Sequence, residues 1–113
     1  MHLAMGQVPI VLGNVKKNLR IMEESLKKAI SKSENKIDLI AFPELFITGY
    51  NLRDNYNNVS EKIPSEGPAQ DGILKIAKKY DVTILSGIVE RAEKSLFNSA
   101  VMIGPEGYIG HYR

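Results

Sequence analysis

Three apolar runs suited to β-strands alternate with two stretches that carry helical periodicity. The runs lie at residues 3–8, 37–42 and 82–89. Alternation of this kind predicts an α/β layer with right-handed crossovers. The third run is apolar nearly throughout, which predicts a strand buried on both faces. Two further strands, at 97–103 and 108–112, flank a Gly-Pro-Glu-Gly turn and predict an antiparallel hairpin at one edge of the sheet.

The first predicted helix has one apolar face with helical spacing. Its members are Val15, Leu19, Met22, Leu26 and Ile30. Asn14 stands just before this face and is a good N-cap. The second helix follows a turn at 64–68, in which Pro68 suits the first helical turn. Residues 51–60, rich in asparagine, predict a surface loop, and residues 90–94 predict a charged turn.

The composition excludes several classes of site. The chain contains no cysteine, so these residues hold no disulfide, no thiolate metal site and no cysteine nucleophile. The net charge is +2 and the basic residues are spread along the chain, which argues against nucleic-acid binding. No apolar run approaches the roughly 20 residues of a membrane span, and the N-terminus lacks the basic region of a signal peptide. We therefore expect no membrane association and a cytoplasmic location.

Motifs of other enzyme classes are missing from the sequence. There is no P-loop and no GxSxG elbow, and the glycines at 104, 107 and 110 do not form a GxGxxG fingerprint. His2 and His111 lie near opposite ends of the chain, and no ligand spacing links them to Asp38 or Glu44. We therefore expect neither a metal nor another cofactor.

A single carboxylate, Glu44, directly follows the second predicted strand. Pro43 cannot donate to a sheet ladder and ends that strand. Glu44 then stands beyond a carboxyl end, where ligands bind in open α/β sheets. Its apolar neighbours Phe42, Leu45 and Phe46 predict poor hydration and a raised pKa, as suits proton transfer. The alternative is that Glu44 only caps a short helical turn.

The stretch around Glu44 also carries a family motif. Residues 42–46 read Phe-Pro-Glu-Leu-Phe and residues 48–50 read Thr-Gly-Tyr. This resembles the first catalytic motif of the nitrilase superfamily, the carbon–nitrogen hydrolases. The resemblance implies an α-β-β-α sandwich, of which residues 1–113 form the N-terminal half as a partial domain, a layered mixed sheet with helices on one face. It also implies that Glu44 is the general base of a Glu-Lys-Cys triad. Tyr50 is a candidate for substrate binding, although loop tyrosines often serve only packing.

The other triad members are not in the sequence. In the family pattern the lysine follows a Tyr-Arg pair, and here Tyr112 and Arg113 are the last two residues. Two hypotheses stay open. The chain is the N-terminal part of an enzyme that hydrolyses a small amide or nitrile, or it is an inactive truncated paralogue that serves as a structural or interaction module. A half sandwich has an uncovered sheet face, so we expect a homo-oligomer or pairing with a C-terminal half.

Overall fold

The computed structural model describes residues 1–64 and 67–113. Within them the elements in chain order are β1 (Leu3–Met5), α1 (Val15–Lys32), β2 (Leu39–Ala41), a 3₁₀ turn (Arg53–Asn55), α2 (Tyr56–Val59), α3 (Pro68–Tyr80), β3 (Thr83–Ala92), β4 (Ser95–Gly104) and β5 (Gly107–Tyr112). The predicted order of strands and long helices is confirmed. The first two strands are shorter than the apolar runs at 3–8 and 37–42 suggested.

The five strands form one mixed sheet in the order β1-β2-β3-β4-β5. β1, β2 and β3 run parallel, with Ile40 opposite Ile84. β3, β4 and β5 are antiparallel, with Leu85 opposite Met102. The two parallel connections contain the long helices, and the two antiparallel connections are short turns. The predicted α/β class, with a hairpin at one edge, is therefore confirmed.

Both long helices cover the same face of the sheet, and the core lies between the helices and the sheet. The fully buried side chains of this layer come from both helices and from three strands: Met22, Leu26, Ile73, Ile40, Ile84, Ile88 and Val101. Asn14 caps α1 as predicted, accepting a hydrogen bond from the Lys17 amide at 3.0 Å. Ile30, also on the predicted apolar face, remains 41% exposed.

The opposite face of the sheet, here called the open face, carries apolar side chains without a helix over them. Because cross-strand partners point to the same side, the register assigns to it Leu3, Met5, Leu39, Ala41, Leu85, Ala100, Met102 and Tyr112. Met5 is 80% exposed and Tyr112 is 82% exposed. The expectation that the third strand is buried on both faces is wrong at Leu85, which is only half-buried.

Two loop predictions also need correction. Residues 53–59 form the 3₁₀ turn and α2 rather than an irregular surface loop. Glu90 and Arg91 belong to β3, so only Glu93 and Lys94 connect β3 to β4. Charge in the sequence suggested a turn, whereas the Glu90 side chain is buried. Among the described residues, no helix combines the length and apolar character that crossing a bilayer requires.

The N-terminus of α3 is capped by a distant carboxylate. Glu61 is 6% exposed, and its two carboxylate oxygens accept hydrogen bonds from the backbone amides of Ala69 (2.6 Å) and Gln70 (3.2 Å). Pro68 occupies the first helical turn as predicted. The predicted turn at 64–68 includes Ser65 and Glu66, which lie outside the described residues. Glu61 is thus tied to helix capping, because the helix N-terminus presents amides without intrahelical partners.

Candidate active site

Glu44 lies in a tight turn that begins where β2 ends. The Phe42 amide still bonds to the Leu85 carbonyl at 2.8 Å, and the chain then leaves the sheet at Pro43. Backbone hydrogen bonds close the turn, with the Phe46 amide donating to the Pro43 carbonyl at 3.2 Å. Leu45 adopts a left-handed conformation with φ 47°. The prediction that Pro43 ends the strand and that Glu44 follows at its carboxyl end is confirmed.

The apolar neighbours of Glu44 point away from its carboxylate. Phe42, Leu45 and Phe46 are 7%, 7% and 1% exposed, whereas Glu44 itself is exposed. Phe42 and Phe46 pack against each other with ring centroids 4.7 Å apart. The turn therefore buries its apolar side chains in the protein and leaves the Glu44 carboxylate at the surface. The expected desolvation of Glu44 by these neighbours is wrong.

Gly87 on β3 supports the backbone of this turn. Its amide donates to the Pro43 carbonyl at 3.2 Å, and its carbonyl accepts from the Ile47 amide at 3.3 Å. A Cβ atom at Gly87 would lie 2.1 Å from the Leu45 nitrogen, well inside contact distance. Only a residue without a side chain lets the turn rest on the open face at this point.

Two neutral donors hold the Glu44 carboxylate. The phenol of Tyr50 and the side-chain amide of Asn98 both hydrogen-bond to it, the latter at Oε1. These bonds, that of Tyr50 first, lower the pKa of Glu44 below its ordinary value, which corrects the raised pKa predicted from the sequence. The same contact raises the pKa of Tyr50. Glu44 is therefore ionised at neutral pH.

A cavity of about 280 Å³ opens beside the carboxylate, between the Glu44 turn and strands β3, β4 and β5. Its polar lining consists of Glu44, Ser86, Asn98, Ser99 and Arg113. Phe42, Leu85 and Ala100 supply apolar surface. A mostly apolar pocket with a few convergent polar groups is typical of small-molecule sites.

The carboxylate of Glu90 holds two residues that line the cavity, Ser99 and Arg113. Glu90 is 1% exposed and accepts hydrogen bonds from both Nε (3.0 Å) and an Nη (2.8 Å) of Arg113 and from Ser99 Oγ (2.6 Å). Arg113 also stacks on Phe97, 4.1 Å from the ring centroid. The Arg113 guanidinium is the main reason that the pKa of Glu90 falls from 4.5 to about 2.

Nowhere in the described part of the chain do three or more His, Asp or Glu side chains gather in a way that could hold a metal ion. His111 lies beside Glu90, with Nε2 3.6 Å from Oε1, and its other ring nitrogen contacts the Tyr108 hydroxyl at 2.7 Å. Glu44 is the carboxylate that lines the cavity, and its own hydrogen-bond partners are neutral, whereas the Arg113 guanidinium in the lining is paired with Glu90.

Comparison with known proteins identifies the family of the chain. The family model described as carbon–nitrogen hydrolase matches residues 2–113. The chain belongs to the carbon–nitrogen hydrolase family. The match spans every element of the sheet and the Glu44 turn.

Named relatives of this carbon–nitrogen hydrolase chain include nitrilases and amidases. It is 38% identical over 99 residues to a nitrilase of Pyrococcus abyssi, a match that covers 86% of this chain and 36% of the relative. It is 35% identical over 91 residues to 2-oxoglutaramate amidase of Bacillus subtilis, covering 76% and 34% of the two chains. A crystal structure of N-terminal amidase with a Gln-Gly peptide superimposes with a TM-score of 0.81 at 28% identity, covering 98% of this chain and 27% of that one.

The chain thus spans about a third of the length of these relatives, between 27% and 36%. Sequence reasoning found Glu44 and Tyr50, which the structure brings together, and it missed Gly87, Asn98 and Glu90. Each of the missed residues acts through a partner far away in the sequence. The one available signal for Asn98 was an amide near the start of a predicted strand, 97–103, that is mostly apolar.

Asn18 is a further residue that sequence reasoning passed over, since α1 showed no chemistry. It is fully buried, and its side-chain oxygen accepts from the Val11 amide at 2.7 Å. Its side-chain nitrogen donates to the carbonyls of Val11 (2.8 Å) and Ile47 (2.9 Å). Asn18 therefore connects α1 and the loop before it to the end of the Glu44 turn.

Proposed function

We propose that this chain supplies the general base, Glu44, of a carbon–nitrogen hydrolase that cleaves a small amide or nitrile. The observation that carries the proposal is an ionised carboxylate held by two donors at the edge of a cavity, at the end of a central strand. Its stretch resembles the first catalytic motif of the family. The names of the relatives, nitrilase and amidase, support a substrate with a non-peptide carbon–nitrogen bond.

The proposed reaction is acyl transfer through a Glu-Lys-Cys triad. A free thiol has a pKa near 8.5, so at neutral pH it needs a base to become a good nucleophile. Glu44 accepts the thiol proton as sulfur attacks the substrate carbon, and the lysine stabilises the negative charge that develops there. For an amide, the protonated Glu44 then gives its proton to the departing amine, and water hydrolyses the thioester.

The register of β5 supports the place of the lysine in this proposal. Ala100 pairs with Tyr112 in an antiparallel ladder. In a strand that continued beyond Arg113, the next residue would therefore pair with Asn98 and point to the open face, beside Glu44. The family pattern puts the lysine at that position. Residues 1–113 would then form a partial domain, completed by residues that carry the lysine and the cysteine.

Tyr50 has two roles in the proposal. It is 53% exposed and hydrogen-bonds to Glu44, so its ring can also contact a substrate at the edge of the site. The alternative function, a module without catalysis that pairs with a second copy or a C-terminal half, is favoured by the apolar side chains on the open face. Both functions need that face to be covered.

A chimeric enzyme tests the catalytic proposal. Residues 1–113 replace the corresponding segment of the Pyrococcus abyssi nitrilase, and hydrolysis of small nitriles and amides is measured. Glu44→Gln keeps the size of the side chain but cannot accept the proton, so the acylation rate should fall by about two to four orders of magnitude. Glu106→Gln, an equivalent change in the exposed turn before β5, is the control and should leave the rate unchanged. Near-normal acylation with Glu44→Gln, in a chimera that unfolds at the usual temperature, would contradict the assignment.

A further inference from the structure

Asn98 occupies an unusual place on the open face. It lies in the middle of β4, opposite Val89, and its side chain is exposed. The neighbouring residues on the same side of β4 are Leu96 and Ala100, both apolar. An amide here has no part in the core, because the hydrophobic layer lies on the other side of the sheet.

The partner of Asn98 is the one carboxylate of the cavity. Its Nδ2 donates to Glu44 Oε1 across 54 residues of sequence. The next residue of β4, Ser99, points to the helix-covered side, where its hydroxyl bonds to Glu90 instead. Two consecutive residues of one strand thus serve two different carboxylates on opposite faces of the sheet.

The backbone of Glu44 is held by Gly87, but that contact leaves the side chain free to rotate. A glutamate side chain has several rotamers, and fixing one of them costs conformational entropy. A donor on a rigid strand can offset this cost and select one orientation. β4 is such a strand, because it is paired with β3 from Ser95 to Ile103, and its second half, from Ala100 onward, is also paired with β5.

We propose that Asn98 is a positioning residue for Glu44, holding the carboxylate over the cavity through its side-chain amide. The catalytic meaning of this inference rests on the proposed function, whereas the contact itself does not. A neutral donor stabilises the carboxylate relative to the neutral acid without adding a charge that would compete with a lysine. Asn98 therefore keeps the base ionised and in place between turnovers.

Carboxyl NMR titration of the full chain, labelled with ¹³C at glutamate Cδ, tests the proposal. In Asn98→Ala the titration midpoint of Glu44 should move to higher pH than in the wild type. In the isosteric Asn98→Asp it should move further, because a like charge replaces the donor. Asn58→Asp makes the same chemical change on α2 and should leave the Glu44 midpoint in place. Ser99→Ala should move Glu90 and not Glu44.

The amide spectra of the variants show whether each one keeps the fold of the wild type. A Glu44 midpoint that is the same in Asn98→Ala as in the wild type, with the fold retained, would overturn the proposal. This result is independent of catalysis, since it leaves the effect of Glu44→Gln in the chimera untouched. Conversely, if Glu44→Gln leaves the rate of the chimera unchanged, the assignment of Glu44 as the general base is refuted. The contact between Asn98 and Glu44 could still be measured by NMR in that case.

Discussion

Gly87 lies directly beneath Glu44. A Cβ atom on Gly87 would stand 2.8 Å from the Glu44 Cα and 2.7 Å from its carbonyl carbon. Both atoms belong to the backbone, so no side chain can rotate out of the way. The absence of a side chain on β3 thus sets the height at which the carboxylate stands above the sheet.

We therefore predict that Gly87→Ala lifts the Glu44 turn off the sheet. The cost should be about 1–3 kcal/mol of unfolding free energy, as for other overpacked sites. The chimera should also lose most of its activity, because the base moves away from its donors. Gly110→Ala is the matched control on the same face, since nothing lies within 4 Å of its added Cβ. Urea unfolding and rate measurements on both variants check the prediction.

Replacement of Asn18 should destabilise the chain, although Asn18 lies far from Glu44 in the sequence. Asn18→Leu leaves the Val11 amide and two carbonyls without their side-chain partner, and an unpaired buried group costs about 1–3 kcal/mol. We expect a loss of roughly 3 kcal/mol in urea unfolding. Asn57→Leu, in the exposed part of α2, should change stability by less than about 0.5 kcal/mol. Equal effects of the two substitutions would mean that the bridge from α1 to the Glu44 turn contributes nothing.

The ion pair between the buried Glu90 and the more exposed Arg113 should make stability depend on acid pH. The pKa of Glu90 is about 2 in the folded chain, below its ordinary value of 4.5. Its contribution is therefore complete above about pH 5 and is lost as the pH falls toward 2. Glu90→Gln should cost about 1.5–3 kcal/mol at pH 7, the usual range for a hydrogen bond to a charged group, and less at pH 3.

Urea unfolding of the wild type, Glu90→Gln and the control Glu106→Gln at pH 7 and pH 3 measures this difference. The wild type and the control should lose more stability between the two pH values than Glu90→Gln does. An equal loss of unfolding free energy between pH 7 and pH 3 in all three proteins would show that the Glu90–Arg113 pair does not control stability at acid pH.

The open face should make the isolated chain associate. Apolar side chains without a cover favour contact with another apolar surface. Light scattering at micromolar concentration should show species larger than the monomer, and Met102→Lys should shift them toward the monomer. Ile30→Lys removes an exposed apolar side chain from α1 instead and should have little effect. A wild-type monomer that unfolds cooperatively and binds no hydrophobic dye would disprove this view of the sheet.

The 113 residues alone should not turn over amides or nitriles. They contain no cysteine to attack the substrate, and without a nucleophile only the modest catalysis of positioning and donors remains. Product release from a panel of short amides, carbamoyl amines and nitriles should stay at or only slightly above the uncatalysed rate. Turnover that disappears in Glu44→Gln would show that the carboxylate acts by another route.

The sequence predicted the order of the elements because that order depends on local signals. Helical spacing marked α1, Asn14 and Pro68 marked helix starts, and Pro43 marked the end of β2. The end of β3 could not be predicted in the same way. Glu90 and its charged neighbours have the composition of a turn. Glu90 nevertheless lies in β3, where the Arg113 guanidinium at the edge of the sheet pairs with its charge.

In the candidate site, too, the features that depend on local sequence were predicted and those that depend on distant contacts were not. The family motif identified Glu44, and the strand end gave its place in the sheet. The direction of its pKa shift was wrong, because neighbours in sequence were assumed to be neighbours of the carboxylate. Phe42 and Phe46 turn inward, and the groups that face Glu44 are Tyr50 and Asn98. The position of Asn98 next to Glu44 depends on the register between β3 and β4, and the local sequence pattern does not contain that register.

The mixed sheet has a consequence for the route by which the chain folds. Ala92 pairs with Ser95 across a two-residue connection, so the ladder of β3 and β4 can zip from a small loop. Leu3 must instead find Leu39 across the whole of α1, and Leu39 must find Thr83 across α3. Closing these long loops costs more chain entropy before any contact is gained. The hairpin strands should therefore form early and exchange their amide hydrogens slowly, while the three-residue strand β1 joins last and opens first.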